Sequence, residues 1–254
     1  MKKAVIGVFI LLCFKSLLFA QVNIEKHRKF LNGTGFSGLT SIGISAKTGN
    51  KDIQEIDLEG RLDYQAKNFY TFAVAQGEYG WQGGREFSNQ ALFHLRYVRN
   101  LTQVIKLEVF GQIDYNKARL LLFRIIGGAG LRFNLFRSDV SLLSYGIAGM
   151  TEHEKYDLPE TAVHPVKTSV FRISNYLSYR LKLNGNASVA SVVYYQPKAN
   201  GFNDFRVLSE NSLYVKISKK FGLSVEFNLR YDSLPPDGKK SLDTKTKLGF
   251  TVGF

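Results

Sequence analysis

The sequence predicts an all-β fold, a transmembrane antiparallel β-barrel of about twelve strands. Three observations predict it. Apolar and polar residues alternate with period two over long segments. The linkers between segments are mostly short after even-numbered segments and longer after odd-numbered ones. The chain ends on an alternating strand, KTKLGFTVGF, with no polar tail.

The first segments show the reasoning. In IQEIDLEGRLDYQAK, Glu55, Asp57, Glu59, Arg61, Asp63, Gln65 and Lys67 share one face, and Ile56, Leu58, Gly60, Leu62, Tyr64 and Ala66 share the other. A helix would spread both sets around its circumference, whereas a strand separates them. The same separation recurs around 103–115, 168–182 and 224–232. In chain order the segments are 36–48, 53–67, 68–79, 86–100, 103–116, 119–136, 139–154, 167–183, 186–198, 203–219, 222–233 and 242–254. Alternation is weak in 68–79 and 186–198, so facing is open there. Many segments exceed the five or six residues usual in globular strands and suit tilted membrane strands with extensions.

The linkers AKN, NLT, FRS, LNGN and KKFG are short. GWQGGR, KYDLPETAVHPV, PKANGFN and SLPPDGKKSL are longer, while GNKD and NKAR are short exceptions. Short turns at one end and long loops at the other characterise outer-membrane barrels. A secreted β-sandwich would also alternate, but only closure removes both unpaired edges.

Residues 1–20, MKKAVIGVFILLCFKSLLFA, read as an export signal: Lys2 and Lys3 precede an apolar run, and Ala20 precedes the expected cleavage. Cys13 is followed by Phe14, which argues against a lipoprotein. Residues 21–35 then form a short periplasmic lead-in, and 36–254 the barrel. The intact chain carries net charge +13, and cleavage leaves 31 basic and 21 acidic residues without a cysteine. Disulfide and thiolate chemistry are therefore excluded from the mature chain. Export also turns the basic balance away from nucleic acid and toward lipopolysaccharide phosphates and membrane lipid as partners.

In the last segment Leu248, Phe250, Val252 and Phe254 share the outward face. Phe250, Val252 and Phe254 resemble the C-terminal signal that the barrel-assembly machinery reads, with Phe254 at the periplasmic lipid–water boundary.

RYVRNLTQVIKLEVFGQIDYN, LLLFRIIGGAGLRFNL, SYGIAGMTEHEKY, FRISNYLSYRL, YYQP and RYDSLPPDGKKSLDTKTKLGFTVGF together sample most of the mature chain. These runs resemble the YdiY-like, salt-induced outer-membrane family, domain of unknown function 481. The most telling pieces are Arg230-Tyr231-Asp232, Pro235-Pro236 and Asp243. The resemblance implies an outer-membrane barrel. It brings no catalytic residues.

Candidate chemistry is sparse. His27, His94, His153 and His164 form no tight metal-ligand spacing. His153 and His164 lie in or beside the longest loop with Glu152, Glu154, Asp157 and Glu160, and read as a solvated charged loop. His94 is expected inward with Gln90 and Arg96. Asn89, Asn175 and Asn211 are expected outward with no His–Ser pair beside them, so no lipid hydrolase is assigned. Gly127, Gly128 and Gly130 lack the Lys-Ser/Thr and helix of a phosphate loop, and are expected to relieve crowding in a strand. No catalytic, cofactor or metal residues are assigned.

The lumen holds the main expectation. Glu55, Asp57, Glu59 and Asp63 form an acidic wall; Arg124, Arg132, Arg172, Arg180, Lys182, Arg206 and Lys216 form a basic wall. In a ring of twelve, segment eight lies opposite segment two, so the walls face one another and impose a transverse field. The expected function is a passive channel for small polar or anionic solutes. The alternatives are a closed, structural or stress-adaptation barrel with surface-loop partners, in which these charges meet and fill the lumen, and a lipid-modifying barrel enzyme.

Overall fold

A computed structural model describes residues 34–47 and 53–253. The export signal, most of the lead-in and Phe254 lie outside the described residues. Twelve strands follow in order: β1 (Gly35–Lys47), β2 (Ile53–Gln65), β3 (Phe69–Gln82), β4 (Arg85–Asn100), β5 (Ile105–Asn116), β6 (Leu121–Arg137), β7 (Ser141–Tyr156), β8 (Lys167–Lys182), β9 (Ala187–Lys198), β10 (Gly201–Lys216), β11 (Phe221–Asp232) and β12 (Leu242–Gly253). Each pairs antiparallel with its chain neighbours, and β1 pairs with β12 to close the ring. Among the described residues the closing seam has four register pairs, Leu39↔Gly253 to Ile42↔Phe250. Among the described residues no helix is long and apolar enough to cross a membrane; the strands do the crossing.

The period-two pattern sorts as it must in lipid. Ile56, Leu58, Leu62, Leu95, Ile113, Ile125, Leu177 and Val225 face outward and are exposed, while Asp57, Glu59, Arg61, Arg96, Asp114, Arg124 and Arg172 face inward and are buried. Leu248 and Phe250 stand 74% and 71% exposed on β12, with Val252 beside them. A water-soluble protein inverts this distribution, whereas a closed ring with every strand edge paired and an apolar outer wall is what a bilayer requires. Aromatic rings mark both boundaries. At the end with short turns, Phe36, Tyr64, Phe69 and Tyr97 form a chain with ring centroids 4.7, 6.1 and 5.3 Å apart. At the other end Tyr195, Phe205 and Tyr231 lie 5.7 and 5.6 Å apart, and Tyr79 meets Trp81 at 4.4 Å. Such girdles sit at lipid–water interfaces. The protein is an outer-membrane β-barrel.

Four of the five short turns share one device. The side-chain oxygens of Thr102, Ser138, Asn184 and Ser218 accept the backbone N–H three residues on, at Ile105, Ser141, Ala187 and Phe221. Each side chain thus stands in for a missing ladder bond and aims the next strand. By the usual polarity of such barrels this end is periplasmic.

The opposite end differs from expectation at two places. GWQGGR and PKANGFN are not long loops. β3 and β4 run on to a two-residue Gly83-Gly84 turn with φ 57° and 77°, the left-handed pair that a tight hairpin needs. β9 and β10 meet at Ala199 and Asn200, with a register shift between Gly201 and Phe205 opposite Pro197. Glycine, proline and asparagine mark turns, but they do not set turn length. The long connections among the described residues are 157–166 and 233–241, and a short 3₁₀ turn, Lys117–Arg119, joins β5 to β6.

Candidate functional site: the lumen

The lumen is built from the inward rows of all the strands. On β7 this row runs through Glu152 and Glu154, within the expected segment 139–154, and β7 pairs with β8 as far as Lys155↔Lys167. Glu152 and Glu154 are therefore interior groups and not part of a solvated loop; Glu152 is 0% exposed.

Three clusters fill the interior. The first centres on Glu152 and Glu154. Arg206 on β10 donates to Glu152 at 2.6 Å, to Glu154 at 2.9 Å and to Asp232 on β11 at 2.9 Å. Arg172 on β8 donates to Glu152 at 3.0 Å and to Asp204 at 2.8 Å. Arg124 on β6 pairs with Asp114 at 3.0 Å and approaches Glu152 and Glu154 at 3.9 Å each. Arg206 thereby ties β7 to β10 and β11 across the lumen, a contact that neighbouring-strand alternation does not encode. The second cluster centres on Glu108. Arg96 lies 3.4 Å and Arg132 3.5 Å from its carboxylate, and Tyr176 Oη donates to it at 2.6 Å. The third centres on Lys245, whose Nζ donates to Glu55 at 2.8 Å, Asp57 at 3.4 Å and, closely, Glu78. Lys247 pairs with Asp57 at 3.1 Å.

These charges do not stand as two opposed walls of one sign. Of the acidic set, Glu55 and Asp57 meet Lys245, Asp63 is held by Arg61 at 2.6 Å, and Glu59 is buried farther down β2. Of the basic set, Arg124, Arg132, Arg172 and Arg206 are buried against carboxylates, and Arg180 is buried on β8. Lys182 and Lys216 lie at the periplasmic rim: Lys182 Nζ donates to the Asp139 carbonyl at 3.3 Å, and Lys216 is exposed. Lys245, Glu78 and Glu108 belong to the same interior: alternation puts Glu108 and Lys245 on the polar faces of their strands, but neither belongs to an expected wall, and the weak alternation of 68–79 leaves Glu78 open. The signal was their parity with Lys247, Gln76 and Gln112 on their strands.

Aromatic rings interleave with the ion pairs in the lower lumen. Phe72, His94 and Phe110 stack with centroids 6.1 and 6.2 Å apart, Arg61 lies 3.9 Å above Phe72, and Tyr176 lies 5.3 Å from Tyr194. His94 faces inward beside Arg96, with Nδ1 3.2 Å from Gln112 Oε1. Glycines make room for these rings: a Cβ on Gly146 would sit 2.1 Å from the Tyr176 ring, and one on Gly128 2.5 Å from Phe110. Gly127 faces the outside.

Two cavities remain between the clusters. An upper one of about 650 Å³, which includes space open to solvent, is lined by Asp57, Glu78, Asp114, Arg119, Asn228 and Lys245 among others. A second of about 540 Å³ lies near mid-height between His94, Gln112, Met150, Tyr176 and Glu210. Arg119 on the 3₁₀ turn reaches across the upper mouth to Asp243 on β12, at 3.2 Å.

The outer wall holds one pair that the sequence reading missed. His153 lies outward on β7, not in the loop, and its Nδ1 is 2.8 Å from Ser169 Oγ on β8. The two residues are register partners, so adjacent strands juxtapose what lies far apart in sequence. Among the described residues no third group is hydrogen-bonded to this imidazole to orient it, as a nucleophile–base pair requires. Asn89 and Asn175 accept from the hydroxyls of Tyr115 and Tyr145, and Asn211 accepts from Ser191.

The family described as "Protein of unknown function, DUF481" matches residues 40–254. The chain belongs to that family. No curated protein matches it. Among solved structures, this DUF481 chain is similar to the NanC porin (9% identity, TM-score 0.49, 85% of this chain and 97% of that one). It is also similar to the translocator domain of autotransporter NalP from Neisseria meningitidis (10%, 0.48, 88% and 89%) and to the KdgM porin (10%, 0.46, 86% and 99%). Identities this low carry nothing about solute or mechanism to the DUF481 chain.

Proposed function

We propose that this DUF481 barrel is a narrow outer-membrane channel for small polar solutes. The observation that carries the reading is the pair of cavities set one below the other in the lumen, the upper one lined largely by charged and amide side chains and the lower one by a mixture of apolar, aromatic and polar ones. Side chains of both charges and primary amides line the upper cavity, which suits hydrated polar solutes and opposes apolar ones. The arginines of the basic set are largely matched by carboxylates, so they leave little net positive charge to favour anions.

A second reading, a non-conducting barrel, has its own support. Arg124, Arg132, Glu152, Phe72 and Val74 are almost wholly buried, so side chains occupy the ground between and beside the cavities. Single-channel recording on the refolded barrel separates the two, with folding checked by a heat-modifiable gel shift. A channel gives small, reproducible current steps. A folded barrel that stays silent across voltage and salt is a structural one.

A further inference from the structure

The third cluster is a cage of carboxylates around the chain's own Lys245 ammonium. Three carboxylates from two strands, Glu55, Asp57 and Glu78, converge on Lys245 Nζ. Their oxygens lie within 4.8 Å of one another. Neighbouring strands hold the cage in shape. Ser88 Oγ and Gln90 Nε2 donate to Glu78 at 2.6 and 2.8 Å, and a Cβ on Gly43 would crowd the Lys247 stem at 3.0 Å and Asp57 at 3.3 Å. The cage alone would be a structural ion-pair cluster. A second, independent feature points to a ligand. Asn228, 7% exposed, lines the same upper cavity opposite Lys245 in the β11–β12 register, and its Oδ1 has no hydrogen-bond partner among the described residues. A buried acceptor without a donor is destabilising, and it is satisfied by an entering N–H.

We propose that the upper cavity binds a small organic primary ammonium, held by Asn228 Oδ1 and the Asp57 and Glu78 carboxylates, with the Lys245 side chain as its built-in competitor. The cavity lies at the upper end of the lumen, beside the 3₁₀ turn that carries Arg119. An ammonium fits better than a bare metal ion here, because Lys245 already places N–H donors where those oxygens aim. The biological use of the site, as a solute station, rests on the channel reading; binding itself does not.

Calorimetric titration of the folded barrel in detergent with 1,4-diaminobutane tests this, with 1,4-butanediol as the uncharged control. The wild-type barrel is expected to bind the diamine and not the diol. Asn228→Leu should weaken binding at least fivefold. Lys245→Met, which keeps the stem and removes the charge, should tighten it at least tenfold, and Lys245→Gln serves if the Met variant loses its heat-modifiable shift. Diamine heat no greater than that of the diol overturns the proposal, as does an Asn228→Leu variant that binds like wild type. Tighter binding of calcium than of diamine by Lys245→Met also overturns it, since the cage is then a metal site. A barrel that binds the diamine yet passes no current leaves the site standing and removes the channel.

Discussion

Asp237 shows how a single exposed side chain can order a mouth. Its carboxylate accepts from the His164 backbone N–H at 2.7 Å and so joins the two long outer loops, 157–166 and 233–241. That hydrogen bond, ahead of a second from Val163, holds the Asp237 carboxyl below the ordinary aspartate range. The sign follows from linkage. A depressed pKa means that the ionised form is favoured when the loops are docked, so the tether is fully present above the ordinary aspartate value of about 3.9 and is lost as pH falls through the lower docked value. Spin labels at Glu160 and Lys239 should therefore keep one short distance at neutral pH and separate only in acid. Asp237→Asn, which keeps an acceptor oxygen but cannot titrate, should remove the pH dependence. A label distance that shifts equally in both proteins sinks this account.

At the scale of the strand, alternation carried most of the information. It set the facing of β2, β5, β8 and β11, because in a barrel wall an error of one residue would put Asp57 or Arg172 into lipid. It carried less in β3 and β9, where Phe72, Val74, Val192 and Tyr194 point inward and both faces are apolar. There the pairing register, and not hydrophobicity, decides the facing. The inward glycines could be read only as small residues: Gly146 is required because the Tyr176 ring, anchored by its hydroxyl on Glu108, lies over it. Gly146→Ala should thus act as overpacking and cost about 1–3 kcal/mol, lowering the urea midpoint for unfolding from lipid vesicles. Tyr176→Phe keeps the ring and removes one hydrogen bond to a buried carboxylate, at about 1.5–3 kcal/mol. If Gly146→Ala matches wild type, the ring is not the reason for the glycine.

Across the whole molecule, the lumen was only half readable. Parity told which groups enter it, but not which of them meet, since Arg206 on β10 and Glu152 on β7 find each other through the ring's curvature. Glu152 is the point where that curvature matters most, with Arg172 and Arg206 donating to it and Arg124 within 3.9 Å. Burying ions is expensive, and a matched network roughly offsets that cost, whereas removing one partner leaves the others uncompensated at about 3–5 kcal/mol. Glu152→Gln keeps the shape and some hydrogen bonding while leaving the three guanidiniums with one carboxylate fewer. The expected result is a destabilised barrel whose freed arginines move toward solvent, raising single-channel conductance and shifting the reversal potential in a salt gradient toward anions. A double variant, Glu152→Gln with Arg206→Gln, should recover much of the stability by restoring the balance, because the charge removed and the charge left over then cancel. If the single variant is destabilised but as silent as its parent, the network is a keystone of the barrel wall and not a barrier to passage.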